Sequence, residues 1–424
     1  LSKYRVLTVT PRTSDQLLYL RSIAETKSRD VADFWHLPST VNESIHVMAG
    51  PNSDLEVMLR RVGVEYDMAM DDLESCSSIS CAVSDSPCIP QPFLLDSLIP
   101  SAPFGSLPLA AYHSYSSISD SLQRVAASSR GLARVVQIGM TVEGRRITGI
   151  KIGDDDGRKP VVVFDGGIHA REWATVHTAL YIINQLLSRS VDSRVKQYLE
   201  QLVIYVFPVL NPDGYEYTRF NETNPQFRLW RKNRGHELCS PGLNGEKNCC
   251  LGVDLNRNFD FQFGSIGSSR YICSEIFNGP YPFSEPETKA IRDFFLLVKG
   301  RVKAYITLHS YSQLFIHSYS HKNRTYPKDI DDIRRVAGNA VREMAVLYGT
   351  KYQVGTGPEI IYGYSGGSTD WTTDKIGVKY SYTIELRPLY SNPNGFVMHP
   401  SELIPTARET WRGLQVVMDA VLKE

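Results

Sequence analysis

The chain has 424 residues, 42% of them hydrophobic, enough for one large domain and a small one. Its 46 basic and 46 acidic side chains cancel, which argues against nucleic acid or an anionic membrane as the main partner. No stretch approaches the roughly 18 consecutive apolar residues of a membrane span.

Residues 1–75 predict a small α/β unit. A strand over Tyr4–Val9 leads to a helix from Thr13 to about Thr26, with Ser14 or Asp15 as N-cap. Strands follow over Val31–His36 and Ser44–Met48, then a helix from Pro51–Ser53 to Val62 and a closing strand over Val64–Met70. Strand-helix-strand-strand-helix-strand is the split βαβ pattern. Residues 76–108 are rich in Ser, Pro and Cys and read as a connecting segment, and no Lys or Arg occurs between Arg61 and Arg124. From residue 109 to 424, strand and helix patterns alternate as in an α/β domain. Four strands stand out, over Val161–Asp165, Val203–Pro208, Lys303–His309 and Tyr380–Leu386. After the first, Gly166 and Gly167 turn the chain, and a helix from Trp173 carries Val176, Leu180, Ile183 and Leu187 on one face.

Seven cysteines lie in two loop-like groups, at 76, 81 and 88 and at 239, 249, 250 and 273, without zinc-ribbon spacing. That distribution suits disulfides and an oxidising compartment. Adjacent Cys249 and Cys250 are poor partners for each other. Sequons at Asn42, Asn221 and Asn323, and a start at Leu1 without Met, agree with a secreted chain whose signal peptide is gone.

His169 and Glu172 follow the Val161–Asp165 strand and its two glycines, where open α/β sheets bind ligands. His309, at the end of another expected strand, supplies a third donor. Two histidines and one carboxylate can hold Zn2+ and leave a coordination position for water. Any one of the ten histidines is more readily a hydrogen-bonded structural residue. Placement of two of them at strand ends, one beside a carboxylate, favours the metal.

With this set in hand, the chain resembles the zinc metallocarboxypeptidases of the pancreatic A/B type. The resemblance runs through Asn211–Tyr215, Trp230–Lys232, Val253–Asn258, Ser365–Ser368, Asp370–Trp371 and Ile384–Arg387. Asp33, Phe34 and Trp35 resemble the family's inhibitory pro-domain. The resemblance implies an α/β fold: a small antiparallel open-sandwich pro-domain, then a catalytic domain with a mixed central β-sheet flanked by helices. It implies one Zn2+ on His169, Glu172 and His309, with Asp254 orienting the first histidine. Glu385 becomes the general base and Arg231 the oxyanion stabiliser. Asn256 and Arg257 clamp the substrate carboxylate, for which a planar guanidinium is suited. Tyr362 closes over the bound end, and Arg171 and Tyr311 line outer subsites. Thr369 takes the position of the pocket floor. Having no charge there, it points to neutral C-terminal residues, although Gly357 and Ser320 match basic-specific members; Glu359 is a nearby acid, and Tyr364 narrows the pocket. Cys250–Cys273 resembles a family disulfide, and Cys239–Cys249 is expected as a second. The linker cysteines are expected to tether the pro-domain.

The partners expected are peptide and protein C-termini, an activating protease and the chain's own pro-domain, with the protein secreted as a monomer. Because the connecting segment lacks Lys and Arg, trypsin is not expected to activate it. Two rival readings remain. Gly363, Ser365 and Gly367 fit G-x-S-x-G with Asp370 and His399 in hydrolase order, but lack the strand-turn-helix context. A non-enzymatic binding module would have lost a ligand or base, and none is missing.

Overall fold

In the computed structural model, the described residues are 3–74, 107–188, 192–241 and 247–424. Cys76, Cys81 and Cys88, with the tether expected from them, lie outside the described residues. The chain builds two main sheets. In the first unit, β1 (Arg5–Thr10), β2 (Asp33–Phe34), β3 (Ile45–Ala49) and β4 (Glu65–Met70) form an antiparallel sheet in the order β2-β3-β1-β4. Alternation along β1 and β3 splits their side chains between two faces. Leu7, Val9 and Val47 pack under the helices Ser14–Thr26 and Leu55–Arg61 through Leu20, Ile23, Leu55 and Leu59. Val6 and Met48 face the other way, into a cluster with Trp35 and with Leu229, Tyr311 and Phe396 of the larger unit.

Three sequence expectations shift. Thr13, with extended backbone, is the N-cap, and its side chain accepts from the Gln16 N–H. The strand expected over residues 31–36 shrinks to Asp33–Phe34; Trp35 still donates its backbone N–H to His46 O at 3.0 Å, while its ring and that of His36 contact the larger unit. The second helix begins at Leu55, where Ser53 Oγ accepts the Leu55 N–H at 3.0 Å.

The larger unit holds β5 (Ala133–Met140), β6 (Arg146–Ile152), β7 (Val161–Asp165) and β8 (Val203–Phe207). A separate hairpin pairs β9 (Glu237–Pro241) with β10 (Lys247–Leu251). The main sheet is completed by β11 (Val302–Ser312), β12 (Leu314–His317), β13 (Gln353–Gly355) and β14 (Tyr380–Leu389). Its eight strands run β13-β12-β14-β11-β7-β8-β6-β5. The central four, β14 to β8, are mutually parallel, and antiparallel strands flank them. Both faces are covered, as a parallel centre requires. Val162, Phe164, Ile306 and Ile384 pack under the helices Trp173–Leu187, Ile330–Tyr348 and Leu403–Val421. Val161, Val163, Tyr205 and Tyr305 meet the helix Pro286–Leu297 and Trp371 on the other face. The helix Trp173–Leu187 is buried nearly all round, not along the single stripe expected. Disulfides join Cys239 to Cys249 across the hairpin and Cys250 to Cys273. Asn42, Asn221 and Asn323 are exposed.

Candidate metal centre and active site

The parallel strands β7, β11 and β14 end around one crevice, and each supplies a chemical group to it. After β7, Gly167 takes φ +62°, a left-handed conformation that a side chain would strain. A methyl on Gly166 would come within 2.8 Å of Thr175 O, so this turn can lie close to the following helix only with glycine. The turn delivers His169, and Glu172 is the N-cap residue of the helix Trp173–Leu187. His309 sits inside β11, which runs on to Ser312 instead of ending at His309 as expected. Its register partner on β14 is Glu385, so backbone pairing sets the second imidazole beside the second carboxylate.

His169, Glu172 and His309 are all buried, and a donor atom from each lies within 4.8 Å of the others. His169 Nδ1 is 2.8 Å from Glu172 Oε1, and His309 Nδ1 is 3.3 Å from Glu172 Oε2. Asp254 Oδ1 accepts from His169 Nε2 at 2.9 Å. That bond fixes the ring orientation and turns Nδ1 toward Glu172. A cation among these three groups would meet two ring nitrogens and a carboxylate oxygen at once. The donor set and its buried aspartate support fit Zn2+. A second cluster, Glu237 with Cys239 and Cys249, has both sulfurs tied up in a disulfide.

Arg231, Arg257 and Glu385 line the same cavity as the three donors. Burial opposes ionisation of Asp254, but Arg231 and Arg257 overcome it and hold its carboxyl well below the usual range. Arg231 Nη2 donates to Asp254 Oδ2 at 2.9 Å. Burial and the nearby Glu172 charge push Glu385 well above its ordinary pKa, against the pull of His169, Arg231 and Arg257. Arg387, the alternative partner for Glu385, instead bonds Glu409 and Glu402, so Glu385 is not half of a structural ion pair with it. Arg257 is held by Gly267 O at 2.7 Å and Asn256 O at 2.9 Å, which leaves Nη2 buried without a protein partner. Asn256 and Tyr362 line the cavity beside it. Thr369 is buried behind this surface, 3.4 Å from the Thr383 hydroxyl. Glu359 is occupied by Arg334 at 2.8 Å.

The N-terminal unit covers the crevice. Asp33, fully buried, accepts from Arg171 Nη1 at 2.7 Å. Trp35 and His36 line the cavity. The Tyr311 ring packs against Trp35, His36 and Phe396. His36 Nε2 lies 2.7 Å from Ser312 Oγ and 3.2 Å from Tyr311 O. The sequence singled out Asp33 and Trp35 but missed His36, whose only signal was its place next to them.

Removing one partner of a buried ion pair costs about 3–5 kcal/mol. Asp33→Ala in the uncleaved chain is therefore expected to raise its basal peptide hydrolysis at least about tenfold, measured against the cleaved enzyme, while Asp33→Glu keeps it low. His36 gives the same contact a pH dependence. Burial lowers its pKa to about 4, opposed by the bond to Tyr311 O and helped by His46, Arg171 and Arg231. A docked histidine with a depressed pKa favours undocking once protonated. Its stabilising contribution is complete above the free value of 6.5 and is lost as pH falls toward about 4. The activity of uncleaved relative to cleaved chain is expected to rise over that range, and His36→Gln to flatten the rise.

The serine-hydrolase alternative does not assemble. Ser365 Oγ is buried without a partner, Asp370 accepts the Ser320 N–H, and His399 is exposed with Ser401.

Comparison with known proteins decides the family. Residues 118–413 match the zinc carboxypeptidase family, and residues 7–76 match the carboxypeptidase activation peptide. The chain belongs to the zinc carboxypeptidases. It is 35% identical to carboxypeptidase A2 of Mus musculus, over 98% of this chain and 93% of that protein. It is 39% identical to carboxypeptidase B of Astacus astacus, over 73% of this chain and 97% of that protein. Its fold matches crystal structures of thrombin activatable fibrinolysis inhibitor, at 29% identity and TM-score 0.81, and of Helicoverpa armigera carboxypeptidase A, at 27% and 0.82. Each comparison covers 100% of this chain, with 100% and 99% of those chains. The protein is thus a zinc metallocarboxypeptidase carrying its activation peptide. The mixed sheet and antiparallel N-terminal sheet are those of this family, and an activation peptide implies inhibition relieved by proteolysis. Among the described residues, no helix is long and apolar enough to cross a membrane.

Proposed function

We propose that the chain is a secreted, monomeric zymogen which, once cleaved, removes single neutral residues from peptide and protein C-termini. Residues 1–75 act as the inhibitory pro-domain, 76–108 as the segment cut on activation and 109–424 as the catalytic domain. The observation that carries this proposal is the buried, unpartnered Nη2 of Arg257 beside Glu385 and the His169–Glu172–His309 cluster. It is a docking point for an anion within reach of a hydrolytic centre. A zinc ion held by His169, Glu172 and His309 would supply Lewis acidity and would lower the pKa of a water toward neutrality.

The remaining work falls to side chains. Arg257 and Asn256 hold the terminal carboxylate, and Tyr362 closes over it. Arg231 stabilises charge on the scissile carbonyl oxygen. The Glu385 carboxylate takes a proton from water as the water oxygen bonds to the carbonyl carbon. It returns that proton to the amide nitrogen as the C–N bond breaks, releasing one amino acid. Arg171 and Tyr311 lie outward of the scissile bond and bind the peptide body after Asp33, Trp35 and His36 withdraw. Neutral preference rests on the roles given to the two acids that line the cavity, Glu172 as metal donor and Glu385 as base, and on the occupation of Glu359 by Arg334. Mass spectrometry of a defined peptide incubated with the cleaved chain tests the proposal. Stepwise loss from the C-terminus, abolished by C-terminal amidation and by a zinc chelator, is expected. Internal cleavage or N-terminal loss contradicts it.

A further inference from the structure

The exopeptidase reading above needs a place for the side chain of the released residue. With its carboxylate at Arg257 and its amide at Glu385, that side chain must turn into the recess bounded by Ile316, Ile361, Tyr364 and Thr383. Trp35 and His36 line the same cavity in the uncleaved chain, and Tyr364 forms part of the wall of the recess itself. Tyr364 stays in that wall whether or not the N-terminal unit is present. It is 5% exposed, and the Arg257 guanidinium lies 4.9 Å from its ring centre. Glycines flank the ring on two edges. A methyl built on Gly367 would come within 2.8 Å of Tyr364 Cε2, and one on Gly357 within 3.0 Å of Cε1. The slot for this ring therefore exists because positions 357 and 367 have no side chains. The hydroxyl end faces Ser320 and Thr383, so the ring extends across the recess toward its wall.

We propose that Tyr364 is the specificity-determining residue of this enzyme, plugging the side-chain recess so that glycine, alanine and serine are released in preference to aromatic, long aliphatic or basic residues. The inference rests on the exopeptidase reading and narrows it. Thr369, the residue the sequence placed at the floor, is buried behind Thr383 and is not among the residues lining the recess. Arg257 over one side and the two glycines at the edges hold the ring in place, so admitting a phenyl group would require moving Tyr364 out of a slot built for it. Asp370, which does not line the cavity, accepts the Ser320 N–H on Oδ2 at 2.8 Å, and its buried Oδ1 has no partner.

The test uses the cleaved, zinc-loaded enzyme and N-blocked peptides that differ only in a C-terminal Gly, Ala, Ser, Leu, Phe or Lys. A single misfitted methylene already costs about 10- to 200-fold, so kcat/KM for Ala is expected to exceed that for Phe by at least about 100-fold. Tyr364→Ala is expected to raise the Phe-to-Ala ratio of kcat/KM by a similar factor, and Tyr364→Phe to leave wild-type order. Should Tyr364→Ala not fold, the wild-type series alone still decides. Release of Phe or Leu as fast as Ala overturns the inference, as does a folded Tyr364→Ala enzyme with an unchanged ratio. Preferred release of Lys also overturns it and would make Asp370 the determinant. If zinc is bound and no residue is released from any peptide, the exopeptidase reading itself falls, and this inference with it.

Discussion

Glu385→Gln is expected to lower kcat of the cleaved enzyme by about 1,000-fold or more, within the range for loss of a general acid–base group. The amide keeps the shape of the side chain but cannot accept a proton from water. Because β11 and β14 pair His309 with Glu385 in register, the substitution leaves the backbone and the three metal donors in place. Zinc content and KM should therefore change little. A fall in zinc content parallel to the fall in kcat would mean that Glu385 is a ligand or a structural support, not the base.

Arg257→Ala is expected to cut kcat/KM by about 100- to 1,000-fold, the loss typical of removing one partner of a buried charge pair. Its Nη2 has no protein partner, so the substitution removes a group held ready for a ligand and breaks no ion pair shorter than the 3.9 Å approach to Asp254. The control lies in the substrate. If the guanidinium binds the terminal carboxylate, peptides amidated at the C-terminus are poor substrates for the wild type and lose almost nothing further in the variant. Equal losses on free and amidated peptides would assign Arg257 a structural role. Arg257→Lys keeps the charge but not the planar fork and should recover only part of the activity.

Much of this was legible in the chain, for identifiable reasons. His169 and Glu172 follow an apolar strand and a Gly-Gly turn, and local patterns of that kind survive folding. The split βαβ unit showed through its alternating strands, although Asp33–Phe34 is shorter than its pattern suggested, the side chains of Trp35 and His36 being given to the interface with the larger unit. What the sequence could not give was meeting points distant in the chain. The occupation of Arg171 by Asp33 and the seat of His36 on Tyr311 join residues far apart in number, whereas the bond of Asp254 to His169 was expected, through the family resemblance alone. Thr369 shows the same limit inside one short segment. It shares the stretch with Tyr364, yet only packing reveals which of the two lines the recess.

The convergence of His169, Glu172 and His309 on one ion is tested most directly by metal analysis of the uncleaved chain after exhaustive dialysis. The expected result is one zinc per chain in the wild type and in Glu385→Gln, and almost none in His309→Ala with its fold intact by circular dichroism. A wild-type chain free of zinc after expression in zinc-supplemented medium, or a His309→Ala chain that keeps a full equivalent, would contradict it.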